Sequence, residues 1–306
     1  MWSGDTQSTW DDFNQQFRAG LNMVMSGIPY FTTDIGGFAS GDTTDPSFRE
    51  LVVRWFQWGA FNPLFRLHGD RGGKSPHWPA NDPGGVCGIT ASNEVWSFGN
   101  ESYTAILAVM RMREQLRPYV TEQYESASKS GLPIMRPLFF DFHDVSAMDR
   151  YALLLVLVSI VQTYLYGSVI GSSFTLVLTF ILLFSLLRSL SLSLSLLVTH
   201  LKCKTQDETS QRVDDEMMFG PLYLVAPVLT YQATSRDVYL PPLSTSSGDV
   251  WVNVFTGVET DTSKGGVNIS EVTPNSGAGF ATFPLYRRQA RGADYRVVAR
   301  VSTDAL

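Results

Sequence analysis

A helical pattern, a short apolar run and a polar loop recur in that order through the first 140 residues, which restricts this part of the chain to parallel β/α units. The first helix covers 8–27. Trp10, Phe13, Phe17, Leu21 and Val24 fall at spacings of 3, 4, 4 and 3 and so share one face. Ser8 with Asp11 three residues on resembles a capping box, and Gly27 ends the helix. Ile28–Thr33 reads as a buried strand ending at Asp34. Residues 36–47 are a loop rich in Gly, Ser, Thr and Asp, and Pro46 opens a second helix that runs to Trp58. Phe61–Arg66 reads as a second strand. A long loop without periodicity follows over 69–93. A third helix runs from Tyr103 to Ser128 with Gly131 as its stop, and Leu132–Asp141 reads as a third strand. Asp34, Arg66 and His68 stand where strands end. In a β/α barrel the carboxyl ends of the strands carry the site.

Residues 213–306 have another texture. Short apolar runs at Leu222–Val228, Val238–Leu240, Val250–Phe255 and Phe280–Leu285 alternate with Gly, Ser, Pro and Asn clusters, the pattern of a small all-β sandwich. Residues 151–212 fit neither half. No charge occurs from Tyr151 to Leu187, and a Ser-Leu repeat follows Arg188. One reading is one or two transmembrane helices, since length and apolarity suffice. The other is a segment foreign to the fold, such as an unspliced intron or an error in the gene model. We adopt the second, because both flanks fit one soluble architecture. Contact with a membrane is expected only if 151–199 is a genuine span.

Composition removes several classes. The 7 Trp, 12 Tyr and 19 Phe give ample core-forming surface, which excludes disorder of the whole chain. A net charge of −6 argues against a general nucleic-acid binder. Cys87 and Cys203 are too few for a disulfide scaffold or a zinc site. The first residues carry neither a basic nor an apolar leader region, so no signal peptide is expected.

Three short stretches carry candidate chemistry. In Trp2-Ser-Gly-Asp5 the acid alone reads as a turn or cap residue. In Phe31-Thr-Thr-Asp34-Ile-Gly-Gly-Phe38 an acid at a strand end precedes two glycines, which leave room for a ligand near the backbone; a plain β-turn is the alternative. Phe65-Arg66-Leu-His68-Gly69 puts a guanidinium and an imidazole on the same side of an extended segment, where a structural ion pair is the alternative. Asn100-Glu-Ser102 and Asn268-Ile-Ser270 are glycosylation triplets of a kind common by chance. Arg111, Arg113 and Arg117 read as a solvated helix face.

Taken in order, these stretches resemble glycoside hydrolase family 31, the retaining α-glucosidases and α-xylosidases. The resemblance runs through Trp2-Ser-Gly-Asp5, Ala19-Gly-Leu-Asn22, Ser26-Gly-Ile-Pro-Tyr30, Asp34-Ile-Gly-Gly-Phe38 and Arg54-Trp-Phe-Gln-Trp-Gly-Ala-Phe61. It continues through Arg66-Leu-His68-Gly69, Leu116-Arg-Pro-Tyr119, Gly131-Leu-Pro-Ile-Met-Arg136-Pro, Asp214-Asp-Glu-Met-Met-Phe-Gly220 and Leu224-Val-Ala-Pro-Val228. It covers roughly 1–150 and 213–290. It implies an α/β chain: the second half of a (β/α)8 TIM barrel followed by a small all-β sandwich. The expected division is 1–150 partial barrel, 151–212 apolar insert, 213–235 end of barrel and 236–306 sandwich.

The resemblance also implies roles. Asp5 is the general acid/base, Asp34, Arg66 and His68 bind hydroxyls of the terminal sugar, and Trp2 and Phe38 wall it. The substrate is an oligosaccharide or glycoside, and neither a cofactor nor a metal is implied. The family's nucleophilic Asp lies upstream of the Trp-Ser-Gly-Asp motif, so the chain as given is expected to lack it and to be inactive alone. A non-catalytic, membrane-anchored or carbohydrate-binding remnant is the competing reading, and a product that never folds is a third. The linkage cleaved, the compartment and the oligomeric state are not legible.

Overall fold

The computed structural model describes residues 1–71, 92–142, 207–244 and 247–293. Two units divide the chain: Met1–Phe142 with Thr209–Leu306, and His143–Glu208. Most of the long loop 69–93, both cysteines and the apolar segment from 151 to 206 lie outside the described residues. Residues 209–212, expected in the apolar insert, fold with the first unit, and Ser210 there is fully buried.

Three extended segments lie side by side, all parallel. Single bridges join Trp2 to Thr32, Gln7 to Ala39 and Ala39 to Asp70. The middle segment, 32–40, thus contacts 1–8 on one side and 66–70 on the other. Two helices make the crossovers. Helix α1, Trp10–Met25, begins at Thr9, whose hydroxyl accepts from the Asp12 amide, so the cap sits one residue later than the Ser8–Asp11 pair suggested. Phe13, Phe17, Leu21 and Val24 are buried along its inner face. Helix α2, Pro46–Gly59, is capped by Asp45. Its residues Leu51–Gly59 are all buried, and Phe13 stacks on Trp55 with centroids 4.8 Å apart. Each such large apolar side chain contributes roughly 1.5–3 kcal/mol by burial.

The expected strands shrink to bridges for local reasons. In 28–33, Pro29 has no N–H to give, and only Thr32 pairs. Residues 60–64 form a turn instead of a strand, because side chains of later helices claim its carbonyls. Arg113 donates to Ala60 O at 2.7 Å and Pro63 O at 2.9 Å, and the Tyr124 hydroxyl donates to Pro63 O at 2.8 Å. The third helix is two: α3, Asn100–Gln115, and α4, Arg117–Ser130. Pro118 cannot donate to the carbonyl four residues back, and the break falls at Leu116. Gly131 closes α4 with φ of 73°, a left-handed C-cap suited to glycine.

Leu132–Asp141 departs from the expectation. Only Met135–Pro137 is a strand, β1, and Leu138–Asp141 is a short helix, α5. Strand β1 pairs antiparallel with β2, Met217–Phe219, so it is no parallel barrel strand. The further strands are β3 (Tyr223–Val225), β4 (Ser235–Leu240), β5 (Asp249–Asn253), β6 (Glu259–Thr260), β7 (Val267–Val272) and β8 (Leu285–Ala290). Six of them form one antiparallel sheet in the order β1-β2-β3-β8-β5-β6, and β4 pairs with β7 in a ribbon. The stretch 213–235, read as the end of the barrel, therefore gives β2 and β3 to the same sheet as β5 and β8.

Strand alternation gives this sheet two apolar faces. Met217, Phe219, Tyr223, Val225 and Leu285 join the helical core, where Phe61 meets Phe219 edge-on at 5.4 Å. Met218, Leu224, Trp251 and Tyr286 pack with Val238 and Leu240 of the ribbon in a second cluster. That is the all-β sandwich the turn-rich composition suggested. Among the described residues no helix is long and apolar enough to cross a membrane.

Candidate active site

The three parallel segments bring the expected residues together: Trp2 and Asp5 from the first, Asp34 and Phe38 from the second, Arg66 and His68 from the third. Asp34 lies at the centre and is fully buried. Arg66 Nε stands 3.2 Å from Asp34 Oδ1, and its guanidinium lies over the Trp2 ring, 5.5 Å from the centroid. The His68 and Phe38 rings meet at 5.4 Å. Arg66 and His68 alternate along one extended segment, so both point to this side.

Burial raises the Asp34 carboxyl above the usual range. The Trp2 side chain, Arg66 and His68 pull it back down, and the charge of Asp5 adds to the rise. The carboxylate is thus held by protein through the Arg66 ion pair at Oδ1 and the Trp2 side chain, without a well-aligned hydrogen bond saturating either oxygen. The ion pair with Arg66 and the Trp2 side chain compensate part of the burial, and the lone pairs that remain fit a ligand that brings hydroxyl donors. Asp5 is exposed, and Trp2 keeps 39% of its surface exposed, so both face solvent beside Asp34. The site is therefore a buried acid flanked by a guanidinium, an imidazole, two aromatic faces and one exposed acid.

The two glycines after Asp34 serve another end than the sequence suggested. The space beside Gly36 is filled by the Arg71 guanidinium, with Nη2 only 2.9 Å from where a Cβ would stand. Gly69 is packed against the same group, 2.6 Å from Cζ on the same measure. Gly37, at φ +78°, backs onto the Gln7 carbonyl. These glycines admit protein, not ligand. Arg71 itself escaped the sequence reading; its signal was the set of glycines around a missing bulky group.

Arg113 was also misread. Arg117 is exposed and bound to Glu114, as on a solvated face. The Arg113 guanidinium is instead buried against 60–63, and burial lowers it to about 10. Two motifs that carried the resemblance are structural. Arg54, with no exposed surface, donates to Pro274 O at 2.9 Å and lies 3.5 Å from Glu50, while Gln57 donates to Phe280 O at 2.8 Å. They fasten α2 to the segment before β8. In Asp214-Asp-Glu216, Asp214 pairs with Arg18 at 2.7 Å, Asp215 pairs with Arg236 at 2.8 Å, and Glu216 is buried between the sheets. Of the glycosylation triplets, Asn268 and Ser270 are both exposed on β7, whereas Ser102 is buried behind Asn100. No group of three or more His, Cys, Asp or Glu able to hold a metal occurs among the described residues.

Comparison with known proteins gives this arrangement a family. Residues 1–123 match the family model for the glycosyl hydrolases family 31 TIM-barrel domain, and 195–291 match that for the glycosyl hydrolase family 31 C-terminal domain. An alpha-xylosidase of Saccharolobus solfataricus is 28% identical over 256 residues, which is 84% of this chain and 23% of that protein. Alpha-glucosidase 2 of Bacillus thermoamyloliquefaciens is 31% identical over 258 residues, 84% of this chain and 21% of that protein. A solved family 31 alpha-xylosidase from a soil metagenome, complexed with xylose, superposes with a TM-score of 0.65 at 32% identity, over 98% of this chain and 33% of its own. The chain thus spans about a quarter of the length of the curated relatives it matches. With both domain models matched in order and the parallel segments followed by the antiparallel sandwich, the chain belongs to glycosyl hydrolase family 31.

Proposed function

We propose that this chain supplies the sugar-binding side and the acid/base of a retaining α-glycoside hydrolase acting on α-xylosides or α-glucosides. The observation that carries the reading is Asp34: a buried carboxylate at the meeting of three segments, ion-paired to Arg66 and beside Trp2, with lone pairs left over for hydroxyl donors. A sugar presents hydroxyl donors and acceptors around its rim and C–H surfaces on its faces. Asp34 accepts two hydroxyls, Arg66 and His68 donate to others, and Trp2 and Phe38 take the ring. Names of relatives support both sugars.

Asp5 fits the general acid/base: exposed at the rim and close enough for its charge to act on Asp34. It protonates the leaving oxygen and later takes a proton from water. Retention needs a second carboxylate about 5–5.5 Å away as nucleophile. By the resemblance, that residue belongs to sequence upstream of Trp2.

Calorimetric titration of the 306-residue chain with xylose and with glucose tests the binding half. Saturable binding that Asp34→Asn weakens at least tenfold is expected; equal binding by both forms refutes the assignment. The catalytic half is tested in a protein that also carries the upstream barrel half. There Asp5→Ala retains activity on p-nitrophenyl glycosides, loses it on disaccharides, and yields a β-glycosyl azide when azide is added. Wild-type rates of Asp5→Ala on a disaccharide refute the role.

A further inference from the structure

We infer that Arg71 is a positioning residue of this site: it holds the 35–40 segment in the shape that fixes Asp34 and Phe38, without touching sugar. The inference rests on the sugar-binding role proposed for those two residues.

Arg71 is 1% exposed, and its guanidinium is spent on backbone. Nη1 donates to Gly37 O at 2.8 Å, Ser40 O at 3.1 Å and Gly36 O at 3.4 Å, and Nη2 donates to Ile35 O at 3.2 Å. Four carbonyls of one six-residue stretch thus converge on one cation. That stretch contains Phe38 and directly follows Asp34. Isolated bridges satisfy only two of its carbonyls, Phe38 O from the Asp70 amide and Ala39 O from the Ser8 amide, and the other four are those that meet Arg71. Arg71 takes the place of regular secondary structure, and its planar fork of donors suits several fixed acceptors at once.

The same guanidinium reaches the first segment through Ser8 Oγ at 2.8 Å and the stretch before α3 through Asn93 Oδ1 at 2.8 Å. It also covers the Phe48 ring at 5.0 Å. Burial lowers it to about 10, with Asp34 and Asp70 opposing that shift, so it stays charged at neutral pH. The volume it fills is the volume left by Gly36 and Gly69. A lysine keeps the charge but offers one nitrogen to acceptors spread on several sides.

The test compares wild type with Arg71→Lys and with the milder Asn93→Ala, which removes only the bond to Nε. Two readouts are taken on the full chain: amide hydrogen exchange resolved by segment, and the dissociation constant for xylose. In Arg71→Lys, exchange over 35–40 is expected to rise at least tenfold while α1 and α3 keep their protection. Xylose is expected to bind at least tenfold more weakly. Asn93→Ala shifts both in the same direction by less. Methylguanidinium added to Arg71→Gly is expected to restore protection over 35–40.

Unchanged exchange over 35–40 overturns the inference. So does a rise spread evenly over α1, α3 and 35–40 in both variants, which marks a general stability role. Xylose affinity within twofold of wild type in a folded Arg71→Lys also overturns it. If the wild type binds no sugar, the functional reading falls, while exchange over 35–40 still reports whether Arg71 holds the segment.

Discussion

Glu216→Gln isolates one buried charge and turns it into a stability measurement. Glu216 is 2% exposed between β2 and the ribbon. Its Oε1 accepts from the Tyr239 amide at 2.7 Å, while Oε2 has no hydrogen-bond partner among the described residues. Arg236 stands 3.8 Å away but is turned to Asp215, which it meets at 2.8 Å. Burial therefore outweighs the cation and pushes the carboxyl from 4.5 up to about 8. An acid raised on folding holds its proton longer in the folded state. Its contribution is fully present below pH 4.5 and is lost as the pH climbs to about 8. At about 1.4 kcal/mol per pH unit, that span amounts to at most about 5 kcal/mol, a large share of the 5–15 kcal/mol typical of a folded domain. Glutamine keeps the acceptor for Tyr239 and carries no charge. Urea unfolding followed by circular dichroism should show the two proteins within about 1 kcal/mol at pH 5, a difference set by a single neutral hydrogen bond. At pH 8.5 the variant should be the more stable by about 2–5 kcal/mol. A difference independent of pH, or a variant less stable at pH 8.5, would mean that Arg236 keeps Glu216 ionised and that burial is not the dominant effect.

Arg54→Met leaves Glu50 buried without its cation and should cost about 3–5 kcal/mol at pH 7; the loss should shrink as the pH falls, because burial raises Glu50 and protonation removes the unpaired charge. Thr9→Ala removes the α1 cap and should cost about 1 kcal/mol in urea unfolding, whereas Thr9→Ser keeps the hydroxyl and should stay within about 0.5 kcal/mol of wild type. Sugar binding through ionised Asp34 should weaken as the pH falls, and should do so above the range of an ordinary aspartate, since burial raises this group; affinity constant down to pH 4 would contradict that. Deleting 151–206, the stretch with the long uncharged run, should raise the soluble fraction of a protein that includes the upstream barrel half, because so apolar a sequence promotes association.

The helices were largely legible because their signals are local. Pro46 and Trp58 bracket α2 to within a residue, and the apolar spacing of α1 maps onto its buried face. Pro118 was visible in Leu116-Arg-Pro-Tyr119, yet the apolar periodicity running across it concealed the break. The strands were harder, since whether an extended run forms a ladder depends on who takes its carbonyls. Arg113 and Tyr124 decide that for 60–64 from more than 50 positions away. The site residues were named through resemblance, and the structure clusters all six. Arg71 and Arg113 were missed for one reason: an arginine that satisfies backbone carbonyls has the same local sequence as one in solvent.

Strands β1 and β2 are neighbours in the sheet, yet Pro137 and Met217 are joined through the whole second unit. They are paired although dozens of sequence positions separate them. The entropy of closing a loop grows only with the logarithm of its length, at about 0.6 kcal/mol for each doubling. The ladder from Met135 to Phe219 fixes both ends regardless of what lies between. Pairing of β1 with β2 is therefore a matter of three matched residue pairs, and sequence distance alone sets little against it.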